Sequence, residues 1–404
     1  MIKKYTLKFI FVVSIAFLLP VTLFSQMAVV GYADGKKYVN ANNYTSFPSN
    51  EQLDRLTHVI ASDIGCMDDG RLFTGKLPDF WESAPPSNYI WNGSKNKWLA
   101  SLINKAHAKG VNASISVGGD YFPQATNSTN INTFVSNIVN FVNVHGFDGV
   151  DINWEYPGDS LEWSQCIALL QALKDNLPVK RITIALSHSR HVYNNYTHVP
   201  QQILSIADGL YLMTYDEGDW PNHSDVAESI DAINEWITWG TPTCAQKKKL
   251  FLGSAFYGWH PVVDGERVSY RDYILNNDTR WYSNPGDLPA DVRDKAIHTR
   301  DNGFGGVFIW ELGYDLPAND SQSLLKAIDD VRPSLSGPSI VCNSWVSYIV
   351  DNLPQGTTVS WDKSENLVRS DKMGPFSFQV RAASPAANGP GWVKAIISGS
   401  CDTV

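Results

Sequence analysis

The chain has 404 residues, 43% of them apolar, and a formal charge of −9. That length accommodates one large and one small domain, and the acidic balance argues against nucleic acid or an anionic lipid surface as partner. Five cysteines (Cys66, Cys166, Cys244, Cys342, Cys401) leave at least one unpaired, and neither metal-ligand spacing nor an HExxH or CxxC pattern is present, so no metal or organic cofactor is implied.

Residues 1–25 combine a lysine-bearing start (Lys3, Lys4, Lys8) with an apolar run broken by Pro20 and closed by the polar step Ser25–Gln26. This pattern predicts a secretory signal cleaved near Ser25, an exported product, and a charge of −12 (−9 − 3) after cleavage. No later segment is apolar enough to span a bilayer. Short apolar runs predict strands at Ala28–Tyr32, Leu56–Ile64, Val111–Val117, within Gly146–Gly158, and at Arg181–Leu186, Gly209–Thr214, Lys249–Ala255 and Gly306–Trp310. Helical periodicity predicts helices at Trp98–Lys109, Ile131–His145, Leu161–Asn176, Ser224–Gly240 (Ser224 as N-cap), Pro289–Asn302 and Ser321–Val331. Cys166, in an apolar helical stripe, is expected to be a buried free thiol.

Eight strands alternating with helices predict an α/β fold, a (β/α)8 barrel whose active site lies at the C-terminal strand ends. An open doubly wound sheet would carry a Gly-rich turn after the first strand, whereas Gly31–Tyr32 leads into a polar loop. Arg332–Gly337 (RPSLSG) reads as a linker. Beyond it VSYIV, TTVSW, FSFQVRA and WVKAIIS alternate with period two and predict a small β-sandwich over 338–404. The barrel is then expected over 26–331.

The stretch Gly146–Gly158, GFDGVDINWEYPG, concentrates the chemistry. Asp151, Asn153 and Glu155 stand at i, i+2 and i+4, and a strand continuing through Glu155 would put all three on one face. Acidic groups on so apolar a strand are costly to bury unless hydrogen-bonded or working. The stretch resembles the signature D-G-x-D-x-D-x-E of glycoside hydrolase family 18, the chitinases and their relatives. Asp148, Gly149, Asp151 and Glu155 match it, and Asn153 replaces the family's aspartate.

The resemblance implies substrate-assisted hydrolysis of β-1,4-linked N-acetylglucosamine. Glu155 is then the general acid, helped by a raised pKa in a site flanked by Trp154. Asn153 binds the N-acetyl N–H as a neutral acceptor. Further strand ends match the family: Tyr32, with Ser116, Gly118 and Gly119 as S-x-G-G, and Met213, Tyr215 and Asp216 as MTYD. Trp310 matches the tryptophan that floors the cleavage subsite. Ser116 is placed to bond Asp148 or Asp151. Tyr215 would orient the N-acetyl carbonyl and Asp216 would bind the sugar. Singly, Tyr32 and Met213 fit barrel core, Ser116 a turn cap, Gly118–Gly119 a tight turn and Trp310 packing between helix and strand; together and in order they fit the site. Trp81, Trp91, Trp220 and Trp259 lie on loops and are candidates for outer subsites, and His260–Asn302 leaves little room for the α/β insertion that deepens the groove in many family members.

GPSIVC, LPQGTTVSW and ISGSC resemble the immunoglobulin-like or PKD-like modules of secreted Bacteroidetes-type proteins, which implies a spacer. Cys342 and Cys401 are compatible with a disulfide or with two core thiols. The expected partner is chitin or a chitooligosaccharide. An endo-β-N-acetylglucosaminidase of N-glycans, a chitin-binding barrel without turnover, and a surface adhesin remain the alternatives.

Overall fold

The computed structural model describes residues 27–35, 47–73, 93–188, 199–216, 223–259, 266–283, 285–371, 374–384, 387 and 389–399. The predicted signal, Trp81, Trp91, Trp220 and Cys401 lie outside them. Eight strands form the barrel: β1 (Ala28–Asp34), β2 (His58–Cys66), β3 (Asn112–Gly118), β4 (Gly149–Asn153), β5 (Arg181–Ser187), β6 (Gly209–Met213), β7 (Leu250–Ala255) and β8 (Gly306–Trp310). All neighbours run parallel. The pairing of β1 with both β2 and β8 closes the ring. The fold is the expected (β/α)8 barrel, and among the described residues no helix is long and apolar enough to cross a membrane.

Period-two alternation sorts the side chains into two cores. On β1, Val29 and Ala33 join the layer between strands and helices, while Val30 and Tyr32 join the core inside the barrel. On β4, Val150 and Ile152 face the helices. Asp151, on the alternate phase, is fully buried beside Tyr32 of the inner core. The strand ends at Asn153, so Glu155 stands beyond its last residue rather than on it.

The outer helices are α1 (Gly93–Ala108), α2 (Ile131–His145), α3 (Ser160–Asn176), α4 (Val226–Gly240), α5 (Pro289–Asp301) and α6 (Leu324–Asp329). Phe134, Val135, Ile138 and Val142 give α2 one buried face. The helix stops at Gly146, whose φ of 78° is the left-handed cap that glycine adopts without strain. Helix α4 starts later than expected: Asp225, not Ser224, accepts from the N–H groups of Ala227 and Glu228 and caps it.

Between β7 and α5 the chain makes a two-stranded antiparallel hairpin, Tyr257–Trp259 with Arg267–Ser269, and a short helix, Tyr270–Asn276. This compact excursion is the structure within the span the sequence left short. After α6, strands β9 (Ser334–Ser336), β10 (Val346–Asp351), β11 (Thr358–Lys363), β12 (Leu367–Arg369), β13 (Ser377–Ala382) and β14 (Val393–Ser398) form antiparallel sheets β9-β10-β13-β12 and β11-β14. Trp361 of one stacks on Phe378 of the other, ring centroids 5.1 Å apart. The RPSLSG stretch, expected as a linker, supplies β9, because Ser334–Ser336 pair with Ile349–Asp351. Asn352 ties this region to the barrel by donating to the carbonyls of Asp330 and Arg332. Cys342 is a free, exposed thiol, so its pairing with Cys401 is not made; Cys166 is free and buried as expected.

Candidate active site

At the C-terminal ends of the strands a cavity of about 80 Å³ is lined by Tyr32 (β1), Asn153 and Glu155 (β4 and just after), Met213, Tyr215 and Asp216 (β6 and just after), Trp310 (β8), and by Ala185, Tyr257, Arg267 and Phe308. Larger cavities lie elsewhere, beside the 312–319 loop and among the C-terminal sheets, away from this acidic cluster.

Asp151 forms the floor support. It is fully buried and accepts three hydroxyls: Tyr32 at 2.8 Å, Ser116 at 3.0 Å and Thr183 at 2.7 Å. Register explains the convergence, since Ser116 and Thr183 are its lateral partners on β3 and β5. Burial pushes its pKa up and the three bonds oppose that shift. Ser116 thus serves Asp151, not Asp148. Asp148 precedes β4 at the opposite, N-terminal end of the barrel, where it accepts from the Ala113 N–H and lies 2.8 Å from His107 Nε2. It does not join the cavity. Gly118 pairs with Asn153 at the end of β3, and Gly119 follows at φ 118°; neither lines the cavity.

Asn153 donates from Nδ2 to Glu155 Oε1 at 2.9 Å. That contact orients the amide, because the reverse orientation would set two oxygens against each other. Its Oδ1 and Trp310 Nε1 are buried with no hydrogen-bond partner among the described residues. An unpartnered acceptor at the end of β4 and an unpartnered donor at the end of β8, both lining the cavity, suit a polar ligand. Trp154, expected beside Glu155, instead stacks on Phe122 in the outer core at 5.1 Å, with ring planes 6° apart.

Tyr215 is buried against the glycine of β7: a Cβ on Gly253 would sit 2.7 Å from its ring. Burial, then the charges of Asp216 and Glu155, hold its pKa well above the ordinary tyrosine value, so it stays a phenol able to donate. Asp216 adopts φ 63°, an uncommon conformation that its surroundings hold. Tyr257 Oη donates to Oδ2, Trp259 Nε1 to Oδ1 at 2.7 Å, and Arg267 Nη2 lies 3.7 Å from Oδ2. Burial would raise the pKa of Asp216, but the bond and charge of His223, with Arg267 and Tyr257, overcome it, and the net direction is down. Trp310 lies 5.5 Å from the Tyr32 ring, and the Arg267 guanidinium stands 5.9 Å over it.

Sequence reasoning missed Thr183, His223, Tyr257 and Arg267, and took Trp259 for an outer loop residue. A hydroxyl set among the apolar side chains of β5 was a usable signal for Thr183. The others arrive on the hairpin and the loop before α4, which carry no periodic pattern.

Residues 28–315 match the family model of Glycosyl hydrolases family 18. Endochitinase 1 of Metarhizium robertsii is 25% identical over 364 residues, covering 70% of this chain and 83% of the relative. The structure is similar to a chitinase from Bacteroides thetaiotaomicron, with TM-score 0.61 and 21% identity over 76% of this chain and 96% of that one. It is similar also to a class V chitinase from Nicotiana tobaccum in complex with NAG4 (TM-score 0.58, 21% identity, 76% and 98% covered). A chitinase-like agglutinin from Robinia pseudoacacia shares the fold as well (TM-score 0.57, 17% identity, 74% and 98% covered). Since the family match spans most of the chain, from the first barrel strand to past the last, the chain belongs to glycoside hydrolase family 18.

Proposed function

We propose that the protein is an exported, chitinase-type glycosidase that cleaves β-1,4-linked N-acetylglucosamine with Glu155 as general acid. The observation that carries this reading is the pairing, in one cavity, of the Glu155 carboxyl with the unpartnered Asn153 Oδ1. A substrate acetamido group supplies the matching N–H donor.

In the reaction, Glu155 gives its proton to the glycosidic oxygen as the C1–O bond breaks. The acetamido carbonyl oxygen of the same sugar bonds to C1, forming an oxazolinium ion. Water, losing a proton to the Glu155 carboxylate, then opens this ring with retention at C1. Tyr215, kept protonated by burial, donates to the acetamido oxygen and aligns it. Trp310 gives the sugar a stacking floor. Asp151 acts below this layer, through Tyr32. Residues 338–404 serve as a spacer.

The test is release of N,N′-diacetylchitobiose from chitotetraose by the wild-type chain with Glu155→Gln alongside. Release that the substitution abolishes supports the reading. Equal release by both proteins overturns Glu155 as the acid. A second reading, a chitooligosaccharide-binding barrel without turnover, is favoured by Asn153, which supplies no negative charge. Binding of chitotetraose without release is its outcome. Neither binding nor release redirects the substrate to N-glycans.

A further inference from the structure

The hairpin between β7 and α5 builds one wall of the cavity, and its register decides what that wall presents. Arg267 pairs with Trp259, and Ser269 with Tyr257. Opposite partners share a face of the ribbon, so Tyr257, Trp259 and Arg267 all point toward Asp216. Rings, not hydrogen bonds, hold the Arg267 guanidinium there. Its Cζ stands 4.6 Å from the Tyr257 ring centroid, 4.9 Å from that of Trp259 and 5.9 Å from that of Trp310. Its Nη2 is 3.7 Å from Asp216 Oδ2, beyond hydrogen-bond length. Among the described residues Arg267 makes no hydrogen bond, although it lines the cavity and its side chain is 34% exposed.

Asp216 itself has little acceptor capacity to spare. Tyr257 Oη donates to Oδ2, Trp259 Nε1 donates to Oδ1 at 2.7 Å, His223 Nδ1 lies 3.0 Å from Oδ1, and Arg267 stands beside Oδ2. A carboxylate offers about four lone-pair sites. On this wall the guanidinium N–H groups are therefore the polar groups left over for a ligand, and they require oxygen acceptors.

The other polar atoms of the cavity narrow which oxygen that is. In the glycosidase reading, on which this inference rests, the acetamido N–H meets Asn153 Oδ1 and the acetamido oxygen meets Tyr215. That oxygen has two lone pairs, enough for Tyr215 Oη and for the unpartnered Trp310 Nε1. In a β-1,4-linked N-acetylglucosamine unit the C1 and C4 oxygens lie in the glycosidic links, and the ring oxygen loses electron density as C1 becomes cationic. The hydroxyls at C3 and C6 are left. We propose that Arg267 is a substrate-binding residue that holds one of these two hydroxyl oxygens of the sugar resting on Trp310. The hairpin, more than Asp216, then reads that sugar. Stacking keeps the planar fork of donors oriented before the ligand arrives, so little ordering is left for the moment of binding.

Two measurements on the full chain test it, both by titration calorimetry with Glu155→Gln present so that no ligand is consumed. Chitotetraose affinity should fall roughly tenfold to a hundredfold on adding Arg267→Met. It should fall less on adding Arg267→Lys, which keeps the charge beside Asp216 but not the fork. The second ligands are p-nitrophenyl N,N′-diacetylchitobiosides lacking the C3 or the C6 hydroxyl on the sugar that bears the nitrophenyl group. With Arg267 in place, one of the two should bind about tenfold more weakly than the parent glycoside. With Arg267→Met that hydroxyl should no longer matter, because its donor is gone. If Arg267 only braced Asp216 and the rings, the two losses would add. Additive losses for both hydroxyls, or chitotetraose affinity within about twofold after Arg267→Met, overturn the proposal. Binding that depends on Arg267 without wild-type turnover removes the glycosidase reading and leaves this contact standing. Turnover with binding indifferent to Arg267 does the reverse, and no binding at all overturns both.

Discussion

Asn153 hydrogen-bonds Glu155 as a donor, Nδ2 to Oε1 at 2.9 Å, and keeps its own oxygen for something else. In the family signature this position is an aspartate, which is a like charge unless the two carboxyls share a proton. The amide therefore uncouples Glu155 from a titrating neighbour. In the proposed reaction it would also remove negative charge from beside the developing oxazolinium ion.

Asn153→Asp should raise turnover. A charged acceptor contributes about 1.5–3 kcal/mol against about 0.5–1.5 for a neutral one, so a gain of several-fold in kcat is expected. The new carboxylate against Oε1 favours the protonated form of Glu155, so the alkaline limb should also move to higher pH. The check is a pair of pH profiles of kcat and kcat/KM. No gain at any pH would remove Asn153 as the brake.

Much of this site was legible because a strand alternates. Val150 and Ile152 had to face the helices, which put Asp151 and Asn153 inside, and Ser116 was singled out by its motif; Thr183, the Asp151 partner on β5, emerged only from the register. Parity also exposes the one misplaced acid. Asp148 is three residues before Asp151, hence on the other phase, and it belongs to the far end of the barrel. His223, Tyr257 and Arg267 were not legible, since a three-residue strand and a loop owe their positions to long-range pairing. The same holds for Lys295. In the polar run of α5 it reads as a solvated helix residue, yet it is buried against Asp287.

That buried pair predicts a large effect of truncation. Lys295 Nζ donates to Asp287 and also to the carbonyls of Ser224 and Gly253, while Asp287 Oδ2 accepts from the Ala255 N–H at the end of β7. Lys295→Met removes the only cation paired with buried Asp287 among the described residues, leaving that carboxyl with the Ala255 N–H, and takes the lysine's donation from Ser224, so it should destabilise the barrel by about 3–5 kcal/mol. Adding Asp287→Leu removes the orphaned charge and should recover part of the loss. Urea unfolding of the wild type and both variants checks this. A single variant within about 0.5 kcal/mol of wild type would mean that the pair contributes nothing.

Asp315 carries the clearest pH dependence. It sits after β8, almost fully buried, and accepts from the N–H groups of Leu316, Leu324 and Leu325 and from Ser323 Oγ. Burial pushes its carboxyl up to about 6, against the pull of those bonds. Folding therefore favours the protonated form. Its contribution to stability is fully present below the unfolded value, near about 3.9, and is lost as pH rises through about 6. Asp315→Asn cannot ionise, so the stability difference, wild type minus variant, should fall by on the order of 3 kcal/mol between pH 4 and pH 7. Denaturant unfolding of both proteins at several pH values across that window measures it. A difference that grows with pH instead would mean that the four donors outweigh burial and that Asp315 is held as the carboxylate, which would reverse the sign of its role in joining β8 to α6.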